Sequence, residues 1–340
     1  MSNNSTVENT DSIVIVSLWK PINMFQIAFG CIGIVGNMFV CITVARKKTL
    51  QNLTNYFIAS LAIADLISST LWVLSVVSRL IPLSRVPTIR HFQCVVVEAG
   101  YPFWVAVLAS TYHLVAITLE RLCGIVYPVK HRLFFSRRLA AVCVALCYIL
   151  PCIILVNFPL FHKVINGVCV YSTSPSSALS HGIFLFMFTY LLPLVVMTWA
   201  YIAIWKRLKN STSQHVNLSL AGQSSQTSSN CNQGYIGARK KVIQMLIIVF
   251  LSFVICWTPD QIMVILVNIG VAKFHLSQFL PVQILALCNS CINPFIYAFK
   301  NRHFRDGFRE IFCFGKTASN VRVGPSNLAA NISETQTSKV

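Results

Sequence analysis

Long apolar runs separated by short polar stretches make up most of the chain. A helical residue rises about 1.5 Å, so crossing a hydrocarbon layer ~30 Å thick takes about 20 mostly apolar residues. Seven segments meet that requirement: Ile22–Ala45, Tyr56–Val77, Tyr101–Val126, Leu139–Phe161, Ile183–Trp205, Val242–Ile269 and Ser277–Phe299. The acids inside them are Asp65, Glu120 and Asp260, and Glu98 stands just before the third segment. In lipid the backbone N–H and C=O groups must bond within their own segment, so these runs are predicted to be helices. The pattern therefore predicts an all-α membrane protein, a bundle of seven transmembrane helices.

Composition agrees. Of 340 residues, 55% are hydrophobic and 11% charged, against about 25% charged in a typical soluble domain. Lipid rather than water must cover much of the surface. The net charge of +18 raises the question of nucleic acid, but Lys and Arg sit in short clusters between apolar runs. No basic stripe interleaved with aromatics is present, and no nucleic-acid role is expected.

Those clusters orient the chain, because cytoplasmic loops carry the excess of Lys and Arg. Arg46-Lys47-Lys48 follows the first span, and Lys130, Arg132, Arg137 and Arg138 follow the third. Lys206, Arg207 and Lys209 follow the fifth, Arg239-Lys240-Lys241 precedes the sixth, and Lys300, Arg302 and Arg305 follow the seventh. The opposite side holds Lys20, Arg79, Arg85, Arg90, Lys163 and Lys273. The expected topology is multi-pass in the plasma membrane, N-terminus extracellular and C-terminus cytoplasmic. Met1–Lys20 has no basic leader, and its apolar stretch Ile13–Leu18 is too short for a signal peptide, so insertion without cleavage is expected.

Topology also sorts the thirteen cysteines. Cys94 and Cys169 are the two on the oxidising side, and a disulfide between them is expected. The others are expected to be small buried hydrophobes or free thiols. Asn3 and Asn4 each begin an Asn-x-Ser/Thr sequon in the outer tail and are candidate glycosylation sites. Around Cys169 the chain reads His162-Lys163-Val164-Ile165-Asn166-Gly167-Val168-Cys169-Val170-Tyr171. Asn-Gly between two β-prone runs predicts a hairpin with a type I′ turn, so the second extracellular loop is expected to be a β-hairpin stapled to the third helix.

The remaining chain divides simply. Residues 1–21 form an extracellular tail and 22–314 the membrane domain with an amphipathic stretch at its end. Residues 210–234, rich in Ser, Gln, Thr and Asn, are expected to be a flexible third intracellular loop whose edges extend helices five and six. Residues 315–340 are expected to form a disordered cytoplasmic tail. Cys313 is a candidate for palmitoylation, and the terminal Ser338-Lys339-Val340 has the form of a PDZ ligand.

Polar groups within the spans carry a resemblance. Gly36-Asn37 lies in the first span and Leu61-Ala62-Ile63-Ala64-Asp65 in the second; Glu120-Arg121-Leu122 closes the third, before Ile125-Val126-Tyr127-Pro128. Pro193 and Tyr201 mark the fifth, Phe253 with Cys256-Trp257-Thr258-Pro259 the sixth, and Asn293-Pro294-Phe295-Ile296-Tyr297 the seventh. Arg302-His303-Phe304-Arg305-Asp306-Gly307-Phe308 follows as an amphipathic stretch. In this order, over Gly36 to Phe314, the pattern resembles the rhodopsin-like G-protein-coupled receptors, of the peptide-receptor type.

The resemblance implies roles. Asp65 would belong to a polar cluster able to hold an allosteric sodium ion, with Ser110, Asn289 and Asn293, and with Asn37 and Ser290 beside them; no other cofactor is implied. Glu120 would pair Arg121 at rest, and Arg121 would swing free on activation to meet a heterotrimeric G protein, with Tyr201 and Tyr297. Trp257, Phe253, Pro259 and Pro294 would make up the hinge and toggle, since a proline removes a helix hydrogen bond. Arrestin and membrane lipid would be further partners. The chain departs from the family at Leu122, Tyr148 and Thr111. It departs also at Arg239, which stands where many relatives carry an acid that holds the arginine, so raised basal signalling is expected.

Phe103 occupies the position of the amine-binding aspartate, and Leu287 that of the retinal lysine, which excludes a monoamine and retinal. Glu98, Tyr101, Phe103, Asp260 and Gln261 are the candidate ligand contacts, and a carboxylate beside Trp257 calls for a basic group on the ligand. The expected function is a receptor for an extracellular peptide with a basic group. The alternatives are a receptor for a lipid, nucleoside or odorant and, third, a transporter or channel subunit. A transporter would show internal repeats and broken helices, which the sequence lacks. No nucleophile–base or metal-ligand constellation supports an enzyme.

Overall fold

The computed structural model describes residues 21–78, 84–220, 226–272 and 276–312. Asn3, Asn4, Cys313 and Ser338-Lys339-Val340 lie outside the described residues. Among the described residues, seven helices are long and apolar enough to cross a membrane. Helix α1 is Pro21–Arg46, α2 Leu53–Val77, α3 Tyr101–Val126 and α4 Arg137–Ile154. Helix α5 runs as Pro175–Phe186, a wider π-type turn Met187–Leu191 and Leu192–Leu220, α6 is Gln226–Asn268 and α7 Leu276–Lys300. Helices α5 and α6 reach well into the stretch expected to be a flexible loop, because no residue in 210–220 or 226–234 is a proline that would stop them.

Side-chain caps start the helices where the sequence supplies them. The Asn52 Oδ1 accepts from the Asn55 amide at 3.0 Å before α2, and the Ser136 Oγ accepts from the Leu139 amide at 3.2 Å before α4. The bundle packs α1 on α2, α2 on α3, α3 on α4 and α5, α6 on α7, and α7 back on α1. Its core runs through Phe57, Leu61, Leu114, Ile117, Met245, Val249, Phe253 and Tyr297. Helix α4 buries one narrow stripe, Ala140, Cys147, Pro151 and Ile154, spaced seven, four and three residues apart. Its other faces present Val142, Leu146, Ile149 and Ile153 outward. An apolar exterior of that kind is stable only in lipid.

After α7 comes α8, Arg302–Phe312. Phe304 is fully buried against Tyr297, with ring centroids 5.5 Å apart, while Lys47, just past the end of α1, bonds Glu310 at 2.8 Å. One face of α8 thus joins the core and the other carries charge, the expected amphipathic eighth helix.

At the opposite end a hairpin pairs β1 (His162–Ile165) with β2 (Val168–Tyr171), antiparallel, with Val164 opposite Cys169. Asn166 has φ 50° and Gly167 φ 79°, the two positive values that a type I′ turn needs. Cys169 is bonded to Cys94, with Cα atoms 5.2 Å apart, as the topology required.

Candidate functional site

Cys94 stands in Gln93–Glu98, wound as a π-type helix after the short helix Pro87–Phe92. The Ala99 amide bonds the Cys94 carbonyl at 2.8 Å, five residues back, and Gly100 then takes φ 71° to break into α3. Wider winding absorbs extra chain without moving the disulfide. It also turns Glu98 back toward Arg90. Arg90 Nη1 and Nη2 both bond the Glu98 carboxylate, the second at 3.3 Å, while Nε and Nη2 donate to the Gly167 carbonyl at 3.2 and 2.8 Å. Arg90 is buried, and its guanidinium pins the hairpin turn to the head of α3.

Glu98 was expected to face a ligand. Its charge is met inside the protein by a bidentate arginine eight residues earlier, a partner that only the π winding brings into reach. Tyr101 likewise turns away, to the short helix Phe158–Phe161 that follows α4, its ring 6.1 Å from Phe158. Phe103 does face inward, buried against Trp72 and Trp104 with centroids 5.0 Å from each. Neither tryptophan was singled out from sequence, because nothing local distinguishes a pocket aromatic from a core one.

Asp260 is different. It is 4% exposed, and its carboxylate accepts one bond, from Gln261 Nε2 at 3.2 Å. Among the described residues no basic side chain pairs with it. Burying an ionised carboxylate without a cation is expensive, so the site is electrostatically incomplete. One turn deeper lie Trp257, whose buried Nε1 has no partner among the described residues, and Phe253, with ring centroids 6.4 Å apart. The Tyr190 hydroxyl donates to Thr258 Oγ1 at 2.6 Å, because Thr258 spends its own proton on the Val254 carbonyl at 2.5 Å. That bond ties α5 to α6 beside the Pro259 kink, a link the sequence did not suggest.

Below them Asp65 is fully buried. Ser110 Oγ donates to its Oδ1 at 2.6 Å and Asn293 Nδ2 to its Oδ2 at 2.9 Å. Asn37 Nδ2 donates to the Gly33 and Ser290 carbonyls at 2.9 and 3.0 Å. The expected residues of α1, α2, α3 and α7 therefore meet. The Oδ1 atoms of Asn37, Asn289 and Asn293 are buried without a partner among the described residues. Orphaned oxygen acceptors in a cluster built on a buried carboxylate suit a hard cation.

At the far end Glu120 is buried and accepts from Arg121 Nε and Nη2, both at 2.6 Å. Thr54 Oγ1 of α2 donates to the same carboxylate at 3.1 Å, and Arg121 Nη2 bonds Thr54 Oγ1. His131 Nε2 approaches Glu120 Oε1 at 3.1 Å. Thr54 and His131 escaped the sequence reading, since a single threonine and a loop histidine carry no signal until the fold joins them. Tyr201 closes the gap to α6 by donating to the Leu246 carbonyl at 3.1 Å, with Thr118 Oγ1 3.2 Å from its oxygen. The Tyr297 hydroxyl is buried and without a partner among the described residues.

A family model described as 7 transmembrane receptor (rhodopsin family) matches residues 36–297. The chain is 27% identical over 296 residues to the allatostatin-A receptor of Bombyx mori, covering 83% of this chain and 76% of that one. It is 26% identical over 383 residues to the cholecystokinin receptor of Xenopus laevis, covering 93% and 82%. To the substance-P receptor of Aquarana catesbeiana it is 27% identical over 337 residues, covering 91% and 75%. The matched span runs from the middle of α1 to the last turns of α7 and so takes in most of the bundle with its three buried acids; the chain belongs to the rhodopsin family of seven-transmembrane receptors, which act through G proteins.

Proposed function

We propose that the receptor answers an extracellular peptide carrying a basic group, and that Asp260 is the group that reads it. The observation that carries this reading is a buried carboxylate beside Trp257 with no cation paired to it among the described residues. Several similar proteins are receptors named for peptides, which supports the ligand class. In the orientation implied by the basic loops, the hairpin end is extracellular and the Arg121 end cytoplasmic. A ligand lysine, arginine or free amine completes the Asp260 pair, and the state in which it fits best becomes the populated one. Release of Arg121 from Glu120 and Thr54 then presents a cation to the G protein. A screen of basic and non-basic peptides tests this, reading G-protein dissociation with Arg121→Ala as the inactive control. Basic peptides should activate; a response confined to uncharged lipids or nucleosides would overturn the reading.

Two side-chain contacts set further expectations. Arg121 is restrained by α2 and α3, and Arg239 cannot stand in for the acid that many relatives carry on α6. A hydrogen bond to a charged group is worth about 1.5 kcal/mol, or about tenfold in an equilibrium. Thr54→Ala should therefore raise ligand-independent signalling by up to about tenfold, measured as second messenger against receptor density. At the other end, Arg90→Ala should weaken peptide potency about tenfold and leave basal signalling unchanged, since it frees the hairpin turn without touching the switch. Dose–response curves beside basal readings check both halves.

Asp65, Ser110, Asn289 and Asn293 are proposed to hold sodium, whose charge would offset the buried carboxylate. Replacing sodium by choline in the medium should then raise basal signalling in the wild type and leave Asp65→Asn unchanged.

A further inference from the structure

Beyond the π-type turn, α5 and α6 pack on each other lightly, and at the Arg121 end of the bundle they leave a groove of about 240 Å³ between them. Tyr201, Leu208, Ile243 and Ile247 line it. Behind it Ile204 and Ile243 form a buried cluster with Leu122 and Ala200. The groove is therefore closed toward the bundle interior and opens on the outer face.

Its two ends differ in polarity. Helix α5 runs toward the Arg121 end and α6 runs away from it, so Lys209 and Gln244 mark the mouth, and Tyr201 and Ile247 the deep end. Trp205 stands at the rim, 59% exposed. Lys209, one turn on, folds its ammonium back over the indole, 5.4 Å from the ring centre. Indoles gather at the headgroup level of a bilayer. The cation is thus held where phosphates lie, at the mouth of an apolar slot.

The charge around that mouth has one sign. No Asp or Glu lies between Glu120 and Asp260, whereas Lys206, Arg207 and Lys209 close the apolar run of α5. An ammonium has three donors, so its contact with the indole does not exhaust it. An apolar slot with a cation at its mouth fits an amphiphile with an anionic head, which the anionic lipids of a membrane leaflet supply.

We propose that the α5–α6 groove is a site for an anionic phospholipid. One acyl chain lies against Leu208, Ile243 and Ile247, and the headgroup phosphate accepts bonds from Lys209 and Gln244. A neutral phospholipid fills the slot but gives the ammonium no anion, so charge sets the preference. The site does not depend on what Asp260 binds.

The test uses full-length receptor in phosphatidylcholine nanodiscs into which brominated phosphatidylglycerol or brominated phosphatidylcholine is titrated. Bromine on an acyl chain quenches a tryptophan that it touches, and Trp205 on the rim is the reporter. Its share of the emission is the difference between each receptor and the same receptor carrying Trp205→Phe. Half-maximal quenching in the wild type should need about fivefold less phosphatidylglycerol than phosphatidylcholine, the preference expected of one cation near a phosphate. Lys209→Met keeps the stem and loses the charge, and should bring the two lipids within about twofold. Ile247→Phe fills the slot and leaves every cation in place; it should weaken the quenching and remove the preference. Thermal denaturation of each variant checks that it is folded. Equal quenching by both lipids in the wild type would show a slot that takes any apolar chain, and would overturn the proposal. A preference that survives Ile247→Phe would also overturn it, since the attraction would then belong to the basic surface and not to the groove. Loss of quenching when cholesterol replaces unlabelled phosphatidylcholine would assign the slot to a sterol instead.

Discussion

Asp260→Asn should lower the potency of a basic peptide agonist by about 100-fold or more. Cutting one partner out of a desolvated ion pair costs roughly 2–5 kcal/mol, and 2.7 kcal/mol is already about two orders of magnitude. Asparagine is the informative replacement. It matches the aspartate in shape and can still accept the 3.2 Å bond from Gln261, so packing above Trp257 is preserved and only the charge is lost. Ligand-free signalling should be unchanged or slightly higher, because the wild-type carboxylate sits buried without a cation and its neutral replacement relieves that cost. A cell-surface dose–response series with receptor number held equal reads both quantities. The same substitution at Glu98 should do far less to the ligand, since Arg90 already occupies that carboxylate.

The second large effect belongs to the disulfide. Cys94 and Cys169 are 75 residues apart in sequence, and closing a loop of that length is worth up to about 4.5 kcal/mol in the chain-entropy model. The membrane lowers this figure, because α3 and α4 stay inserted and the open chain is not a free coil. The loss should fall mainly on the hairpin. Cys94→Ser is expected to abolish peptide binding or weaken it by more than about 100-fold, while Arg121-dependent basal exchange in the surviving surface receptor persists. A combined Arg90→Ala and Cys94→Ser receptor should be worse than either alone, because the two tethers hold different points of one hairpin, Gly167 at the turn and Cys169 in β2. Radioligand binding beside nucleotide exchange distinguishes a lost pocket rim from a lost fold.

Much of this architecture is legible in the residues themselves. Bilayer thickness turns apolar run length into helix count, and Asn166-Gly167 specifies its turn because few other pairs tolerate two positive φ values. The cluster at Asp65 follows from the expense of polar groups in lipid, which confines them to places where they find one another. What the sequence conceals is register and partnership across the fold. Counting residues from Cys94 to Arg121 shows extra chain but not that it winds as a π-type turn, so Glu98 reads as a free acid until Arg90 is seen beside it. Tyr101 meets Phe158, beyond the end of α4, for the same reason. Thr54 and His131 reach Glu120 from separate elements, and no local pattern marks either one. Long polar stretches of α5 and α6 read as loop because their composition offers little to bury, yet none of their residues is a proline.

The central claim is that the charge of Asp260 meets a charge on the ligand, and a double-mutant cycle tests it most directly. Wild-type and Asp260→Asn receptors are each assayed with the active peptide and with a copy whose basic group is replaced by a neutral one of similar size. If the two charges meet, each single change costs about 100-fold or more in potency, and the second change costs almost nothing once the first is made. Losses that simply multiply would show that the two groups act independently, and that Asp260 supports the pocket without touching the cation.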